Sequence, residues 1–374
     1  MSQPLADWIR NRIREQGPVP FARFMEWALY HPEHGYYTSG RARVGSDHGD
    51  FTTAPHMTPV FARCLARWVA AADRALGEPD PFVLVEGGAG EGRLARDLLD
   101  ALRRREPGLY QRLRYAPHEA SPAARNRLEE TLAPHADRCV PPPERFTGVY
   151  LSNELLDALP VHRIRKGPDG LEEAFVDAVD GAFRETWVRP PSPPVLGFLD
   201  RHPIPLGGGW EAEVCPAALE WLAGVARRLE RGYVLTVDYG DEADRLYGPH
   251  RPRGTCLAYR GHRTSGDLLD APGLQDLTAH VNFTALRAEG RRLGLEPAPL
   301  LTQRSFLFAA GLVQEVESLE RELPPHEALA ARRALAPLLL PDAGMGDTFK
   351  ALVQAKNAPL SGLPLDPLLP PGLS

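Results

Sequence analysis

Apolar positions recur on two periods along the chain, and the changes of period divide it. Residues 4–16 and 58–76 read as amphipathic helices. In the second, Val60, Phe61, Cys64, Leu65, Trp68 and Val69 fall near a 3.6-residue repeat. Between them runs HPEHGYYTSGRARVGSDHGDFTTAP, too long and irregular for a turn. Loops of this length are usually functional or disordered, and Tyr36, Tyr37 and Phe51 favour an ordered one. From residue 81, short continuous apolar runs alternate with helical patterns. FVLVE (82–86), LRYAPHE (113–119), TGVYLSNE (147–154) and GYVLTVDYG (232–240) predict strands, with helices over about 92–105, 122–133 and 216–230. That alternation predicts right-handed βαβ crossovers and a doubly wound, mostly parallel α/β sheet. Residues 161–190 differ: VHRIRK, LEEAFVDAV and AFRETWV, separated by Gly-Pro-Asp-Gly and Asp-Gly, predict an antiparallel meander inserted into the sheet domain. PPSPP (190–194) reads as a linker, HVNFTALRAEGRRLGL (280–295) as a helix, and SFLFAAG and TFKALVQA as the last two strands. After Asn357 the chain is rich in proline and leucine without a period.

Composition narrows the class. A chain of 374 residues, 43% hydrophobic and 25% charged, can bury a full core without disulfides or metals. Those fractions exclude collagen, coiled coil and wholesale disorder. A net charge of −6 weighs against nucleic-acid binding. The four cysteines, Cys64, Cys139, Cys215 and Cys256, lie far apart with no CxxC and no zinc spacing, so reduced thiols and no metal are expected. The first residues lack a continuous apolar stretch and carry Asp7 and Glu15, and no apolar run approaches the ~18 residues of a membrane span. These features predict a cytoplasmic protein with no membrane partner. Of the 43 basic residues only Lys166, Lys350 and Lys356 are lysine, a bias that reads as genomic rather than functional.

Candidate chemistry begins at VEGGAGEGR, which ends a strand and opens a helix. Gly88, Gly90 and Gly92 form GxGxG, a turn in which glycine admits positive φ and close approach of a ligand. The dinucleotide fingerprint GxGxxG fails, because its third glycine position is Arg93. Glu86, two residues ahead of Gly88, would repel a pyrophosphate and could face a ligand's cationic amino end. Arg93 and Glu86 therefore disfavour a nicotinamide oxidoreductase, and an acid before GxGxG is the pattern of S-adenosylmethionine (SAM) methyltransferases. Glu119, 27 residues beyond Gly92, could accept ribose hydroxyls or simply neighbour the helix start at Ser121-Pro122. LSNELLDALP places Asn153, Glu154 and Asp157 beyond a strand's carboxyl end, where open α/β sheets bind ligands. They read either as a site for a cationic acceptor or as a helix cap with surface acids.

Several separated blocks carry a resemblance: ALYHPEHGYYT (28–38), GDFTTAP (49–55), VEGGAGEG (85–92), HEASP (118–122), SNELLDALPVH (152–162), VDYG (237–240), YRGHR (259–263), DLTAHVNF (276–283) and MGDTFKAL (345–352). In order and spacing the chain resembles the MidA-like methyltransferases, which include the mitochondrial complex I assembly factor that methylates an arginine. The resemblance implies a class I SAM-dependent methyltransferase fold, SAM as cofactor and a protein partner presenting an arginine. By motif, Glu86, Gly88 and Gly90 match the SAM loop and Glu119 the ribose acid. Gly49, Asp50, Phe51 and Thr52 match a block that closes over the cofactor, and Asn153, Glu154 and Asp157 the transfer site. Carboxylates can bind a guanidinium bidentately and localise its charge.

Arg260 and His262 are candidates for the acceptor groove or the SAM carboxylate, and His280 for taking a proton. Tyr36, Tyr37 and Phe51 are candidates for excluding water or stacking on adenine. The implied organisation is a helical cap with a cofactor-covering loop over 1–78 and a core over 79–357. That core is enlarged at about 161–215 and 241–280 and followed by a tail over 358–374. The 161–190 insertion is the candidate contact surface of a homodimer. Departures include Glu-Gly-Gly-Ala in the loop where relatives carry Glu-Leu-Gly-Pro, SDH before GDF, no glycine around Gln303-Arg304-Ser305, and Asn282 where an acid is common. Asn282 leaves room for a second reading: a SAM-binding assembly or chaperone factor with little or no catalysis.

Overall fold

The structure is a computed structural model that describes residues 4–40, 54–261, 263–340 and 344–366. Its main sheet has the strand order Glu296–Pro297, Phe349–Lys356, Leu229–Asp241, Phe146–Asn153, Phe82–Gly87, Leu113–His118. The last four strands are parallel, and Phe349–Lys356 runs antiparallel to Leu229–Asp241. Every residue of Phe82–Gly87 is buried, as expected of a strand covered on both faces. The chain crosses from this strand first to Leu113–His118 on one side, then to Phe146–Asn153 on the other. The order of winding therefore reverses at Phe82–Gly87, which opens a crevice beyond its carboxyl end. The α/β core expected from the alternation is present.

Helices Pro59–Ala75 and Arg93–Arg105 pack on one face through Phe61, Leu65, Trp68, Leu98 and Leu102. Helices Pro216–Arg228 and Phe283–Arg292 cover the other through Leu219, Leu222, Phe283 and Leu286. The 161–190 meander does not join the main sheet. Its strands His162–Gly167, Gly170–Val179 and Ala182–Val188 form a separate sheet with Glu211–Val214 and the short Val19–Pro20. Helices Pro4–Gln16 and Phe21–Tyr30 pack on that sheet, with Ile9, Ile13, Phe24 and Met25 meeting Ala174 and Val176. A third sheet, Arg263–Ser265, Leu257–Arg260 and Asp276–Thr278, adds Ala258 and Leu277 to the same core. The cap helices and the insertions thus share one hydrophobic core. Pro59–Ala75, grouped with the cap on sequence, packs instead on the main sheet.

Other expectations change for local reasons. SFLFAAG is a helix, Gln303–Ala309, because the Thr302 side chain caps it by accepting from Ser305 N at 3.1 Å. A short apolar run alone cannot distinguish strand from helix. PPSPP is more than a linker, since Pro193 opens helix Pro193–Arg201. The helix expected from residue 280 begins at Phe283, because Val281 and Asn282 first pair with Gly240 and Asp241. Helix Phe21–Tyr30 was not anticipated. The start of the tail is fastened: Tyr233 donates to Pro359 O at 2.6 Å and Leu363 is buried against the core. All four cysteines are free. Among the described residues no helix is long and apolar enough to cross a membrane.

Candidate active site

A cavity of about 400 Å³ lies at the carboxyl ends of the parallel strands, a volume suited to a small ligand. The glycine loop forms its base. Gly88 takes φ +70, and its N–H donates to His118 O at 2.8 Å. A Cβ there would stand 3.0 Å from Leu155 Cδ1, so both the backbone conformation and the space select glycine. Gly90 N donates to Glu119 Oε2 at 2.8 Å, and Ser121 N donates to Oε1 at 2.7 Å. Glu119 thus ties the loop to the end of the neighbouring strand, and each oxygen retains a lone pair for a ligand. Glu86 lines the same cavity at 3% exposure and accepts from Tyr115 Oη at 2.8 Å. Burial raises its pKa to about 7 against the opposing Tyr115 hydrogen bond.

Opposite the loop, Phe146–Asn153 ends in a bend at Glu154, whose φ of +52 is rare for a residue with a side chain. Glu154 N donates to Val237 O at 3.0 Å, and Asn153 Nδ2 donates to Glu154 Oε1 at 3.1 Å. The next turn is held by Asp238, whose Oδ2 accepts from Leu155 N at 3.1 Å and Leu156 N at 2.8 Å. Asp157 follows at 5% exposure. Among the described residues its Oδ1 has no hydrogen-bond partner. Burial and then Asp238 push Glu154 to about 8. Burial, reinforced by Asp238, Asp276 and Glu154, holds Asp157 well above the usual carboxylate range. Asp238 is raised by burial to about 7. Such a group of carboxyls gains from a cation.

The cap and the third sheet close the cavity with Tyr30, Tyr37, Tyr259, Asp276 and Thr278, while the main sheet adds Tyr239. Tyr30 and Tyr37 stack at 5.7 Å and 23°. Tyr30 Oη donates to Ala158 O at 3.0 Å, and Tyr37 Oη to Asp276 Oδ1 at 2.8 Å.

The structure gathers Glu86, Gly88, Gly90, Glu119, Asn153, Glu154 and Asp157 around this one cavity. Others are not brought in. Arg260 is exposed in the hairpin opposite Arg263, outside the lining, and its neighbour Tyr259 faces in instead. His280 is also outside the lining. Its ring stacks on Tyr239 at 6.1 Å, and Nδ1 lies 3.3 Å from an Arg251 nitrogen. Burial and then Arg251 lower its pKa to about 4, which keeps it neutral. Tyr36 belongs to the cap core. Gly49, Asp50, Phe51, Thr52 and His262 fall outside the described residues. Asn282 does not line the cavity: its Oδ1 caps a helix, accepting from Ala285 N at 3.0 Å, and its Nδ2 donates to Tyr247 Oη at 3.1 Å. Aspartate caps equally well, so asparagine here removes nothing from the cavity.

Sequence reasoning missed Tyr30, Asp238, Tyr239, Tyr259 and Asp276. Each lies inside one of the blocks ALYHPEHGYYT, VDYG, YRGHR and DLTAHVNF, the signal that could have found them. Among the described residues no cluster could hold a metal ion. The arrangement instead joins a glycine loop, suited to close backbone contact with a polar ligand, to a buried acidic pocket walled by phenols.

A family model for S-adenosyl-L-methionine-dependent methyltransferases matches residues 64–299. The chain is 31% identical over 322 residues to the Drosophila melanogaster homolog of protein arginine methyltransferase NDUFAF7, mitochondrial, covering 76% of this chain and 69% of that one. It is 29% identical over 343 residues to the Homo sapiens protein of that name, covering 83% and 74%. A crystal structure from Burkholderia thailandensis with bound S-adenosyl-homocysteine is 34% identical, with a TM-score of 0.86 over 95% of this chain and 92% of that one. A native crystal structure from the same organism gives 33% and 0.84 over 97% and 94%. These findings correct the cytoplasmic expectation, because the curated relatives are named as mitochondrial.

Proposed function

The chain belongs to the S-adenosyl-L-methionine-dependent methyltransferase family matched over residues 64–299, and from that premise we propose that it methylates an arginine guanidinium of a protein. One observation carries this reading: the glycine loop and the carboxyls of half-buried Glu154 and buried Asp157 line a single cavity. The residues fit the cofactor. Gly88 leaves room where a Cβ would intrude, Glu86 offers a buried carboxyl, and Glu119 keeps lone pairs beside the loop. When bound, the cofactor supplies an electrophilic methyl on a sulfonium.

The chain supplies positioning, charge and exclusion of water. Glu154 and Asp157 bind the guanidinium and fix its plane, and their charge draws density onto one nitrogen. Asn153, donating to Glu154, orients that carboxylate. Asp238 is a positioning residue that holds the 154–157 turn through backbone N–H groups. Methylation replaces an N–H proton, which must leave the guanidinium. A carboxylate in contact with the guanidinium can take it, and Glu154, which a bound cation holds ionised, lines the cavity for that task. The stacked Tyr30 and Tyr37 rings keep bulk water from the pocket.

The assembly-factor reading loses its motivating residue, because Asn282 caps a helix away from the cavity. Arginine methylation is supported further by relatives named as protein arginine methyltransferases. Radiolabelled methyl transfer tests it: label is expected on proteins of a cell extract and to survive as methylarginine after acid hydrolysis. Label found only on lysine, or none at all, would refute it.

A further inference from the structure

We infer that Asp276 is the residue that makes the acceptor pocket specific for a planar, delocalised cation, a guanidinium rather than an ammonium, with Tyr37 as its positioning residue. This rests on the arginine reading above and deepens it. Asp276 lies outside the doubly wound core, in a three-residue strand of an insertion, yet it lines the cavity at 2% exposure. Strand pairing explains how. Asp276 is the direct antiparallel partner of Tyr259, so the two side chains share a face, and Thr278, two residues on, joins them. All three face the cavity, while Ala258 and Leu277, on the other face, enter the cap core. The small sheet is thus oriented by its apolar face and presents Asp276 by its polar one.

Two further observations point to a ligand at this place. Asp157, buried beside Asp276, leaves Oδ1 without a partner among the described residues, an expensive arrangement unless something donates to it. Five phenol rings, those of Tyr30, Tyr37, Tyr150, Tyr239 and Tyr259, line the same cavity. Flat aromatic walls and several carboxyls lining one cavity suit a guanidinium, which is planar, carries five donors and is more weakly hydrated than an ammonium. Tyr37 donates to Asp276 Oδ1 across 239 residues of chain and so sets the carboxylate's rotation. The acceptor pocket is therefore completed only when the cap, the insertion and the core meet.

The test uses the full chain loaded with S-adenosyl-homocysteine and titrated with ethylguanidinium or ethylammonium chloride. The wild type is expected to bind ethylguanidinium about tenfold more tightly than ethylammonium. Asp276→Asn is expected to lose about tenfold in ethylguanidinium affinity, and Tyr37→Phe about threefold, with S-adenosyl-homocysteine affinity kept within about twofold. On an unmodified arginine peptide that the wild type methylates, Asp276→Asn should raise KM more than it lowers kcat. Equal binding of the two cations by the wild type would overturn the proposal. So would an Asp276→Asn protein with unchanged ethylguanidinium affinity and KM. Should Asp276→Asn not fold, the wild-type selectivity and the Tyr37→Phe loss still decide. The arginine reading fails separately, when the wild type methylates no arginine at all.

Discussion

Gly88 concentrates the cofactor side of the site in one residue. Its φ of +70 strains any residue with a side chain, and a Cβ would stand 3.0 Å from Leu155 Cδ1, which would have to shift into the cavity or away from it. Gly88→Val should abolish S-adenosyl-homocysteine binding in calorimetry while the protein stays folded by circular dichroism; wild-type affinity would contradict this. At this scale, legibility followed sequence distance. Glu86, Gly88, Gly90 and Glu119 were legible as neighbours in one cavity because strand, loop and helix follow one another in the chain. Asn153, Glu154 and Asp157 were readable as one short block after a strand. Asp276 and Tyr37 meet across 239 residues, so only the fold reveals their pairing. Arg260 and His280 looked eligible by type and block, yet strand pairing turns Arg260 outward and Tyr239 stands over His280.

Among the elements, the parallel strands were legible because burial on both faces leaves continuous apolar runs, as in FVLVEG. SFLFAAG has the same look and is a helix, because a cap outside the run decides it. Thr302→Ala removes the acceptor for Ser305 N and should cost about 1 kcal/mol in chemical denaturation. A change below a few tenths of that would mean that packing of Phe306 and Leu307, not the cap, holds the helix. The meander over 161–190 was predicted in kind but not in place. Its strands pair antiparallel with one another across short Gly-containing turns, but nothing local says that the sheet's partners are Val19–Pro20 and the cap helices.

For the molecule as a whole, two bodies of core meet at a cavity crowded with carboxyls, and stability should register it. Glu154, Glu86 and Asp238 have pKa values near 8, 7 and 7 in the folded, ligand-free chain, against ordinary values near 4.5, 4.5 and 3.8. Between about pH 5 and about pH 8 the folded state holds protons that the unfolded chain has released, so these groups stabilise the fold at the acid end and lose that contribution as pH rises. Tm of the ligand-free protein should fall across that window, and Glu154→Gln should flatten the fall. A Tm that climbs from pH 5 to pH 8 and is indifferent to Glu154→Gln would contradict the cluster. The chain's forty arginines gave no hint of this, since the proposed chemistry rests on acids and glycines.

Methyl transfer at the acidic pocket is tested most directly by supplying SAM with a deuterated methyl group. Wild-type and Asp157→Ala proteins would be added to extracts of cells that lack the protein, and labelled residues mapped by mass spectrometry. Deuterated methyl on specific arginines with the wild type, lost at least about a hundredfold with Asp157→Ala while S-adenosyl-homocysteine binding persists, is the predicted result. Arginine labelling that survives Asp157→Ala at near wild-type rate, or labelling confined to other residues, would contradict it.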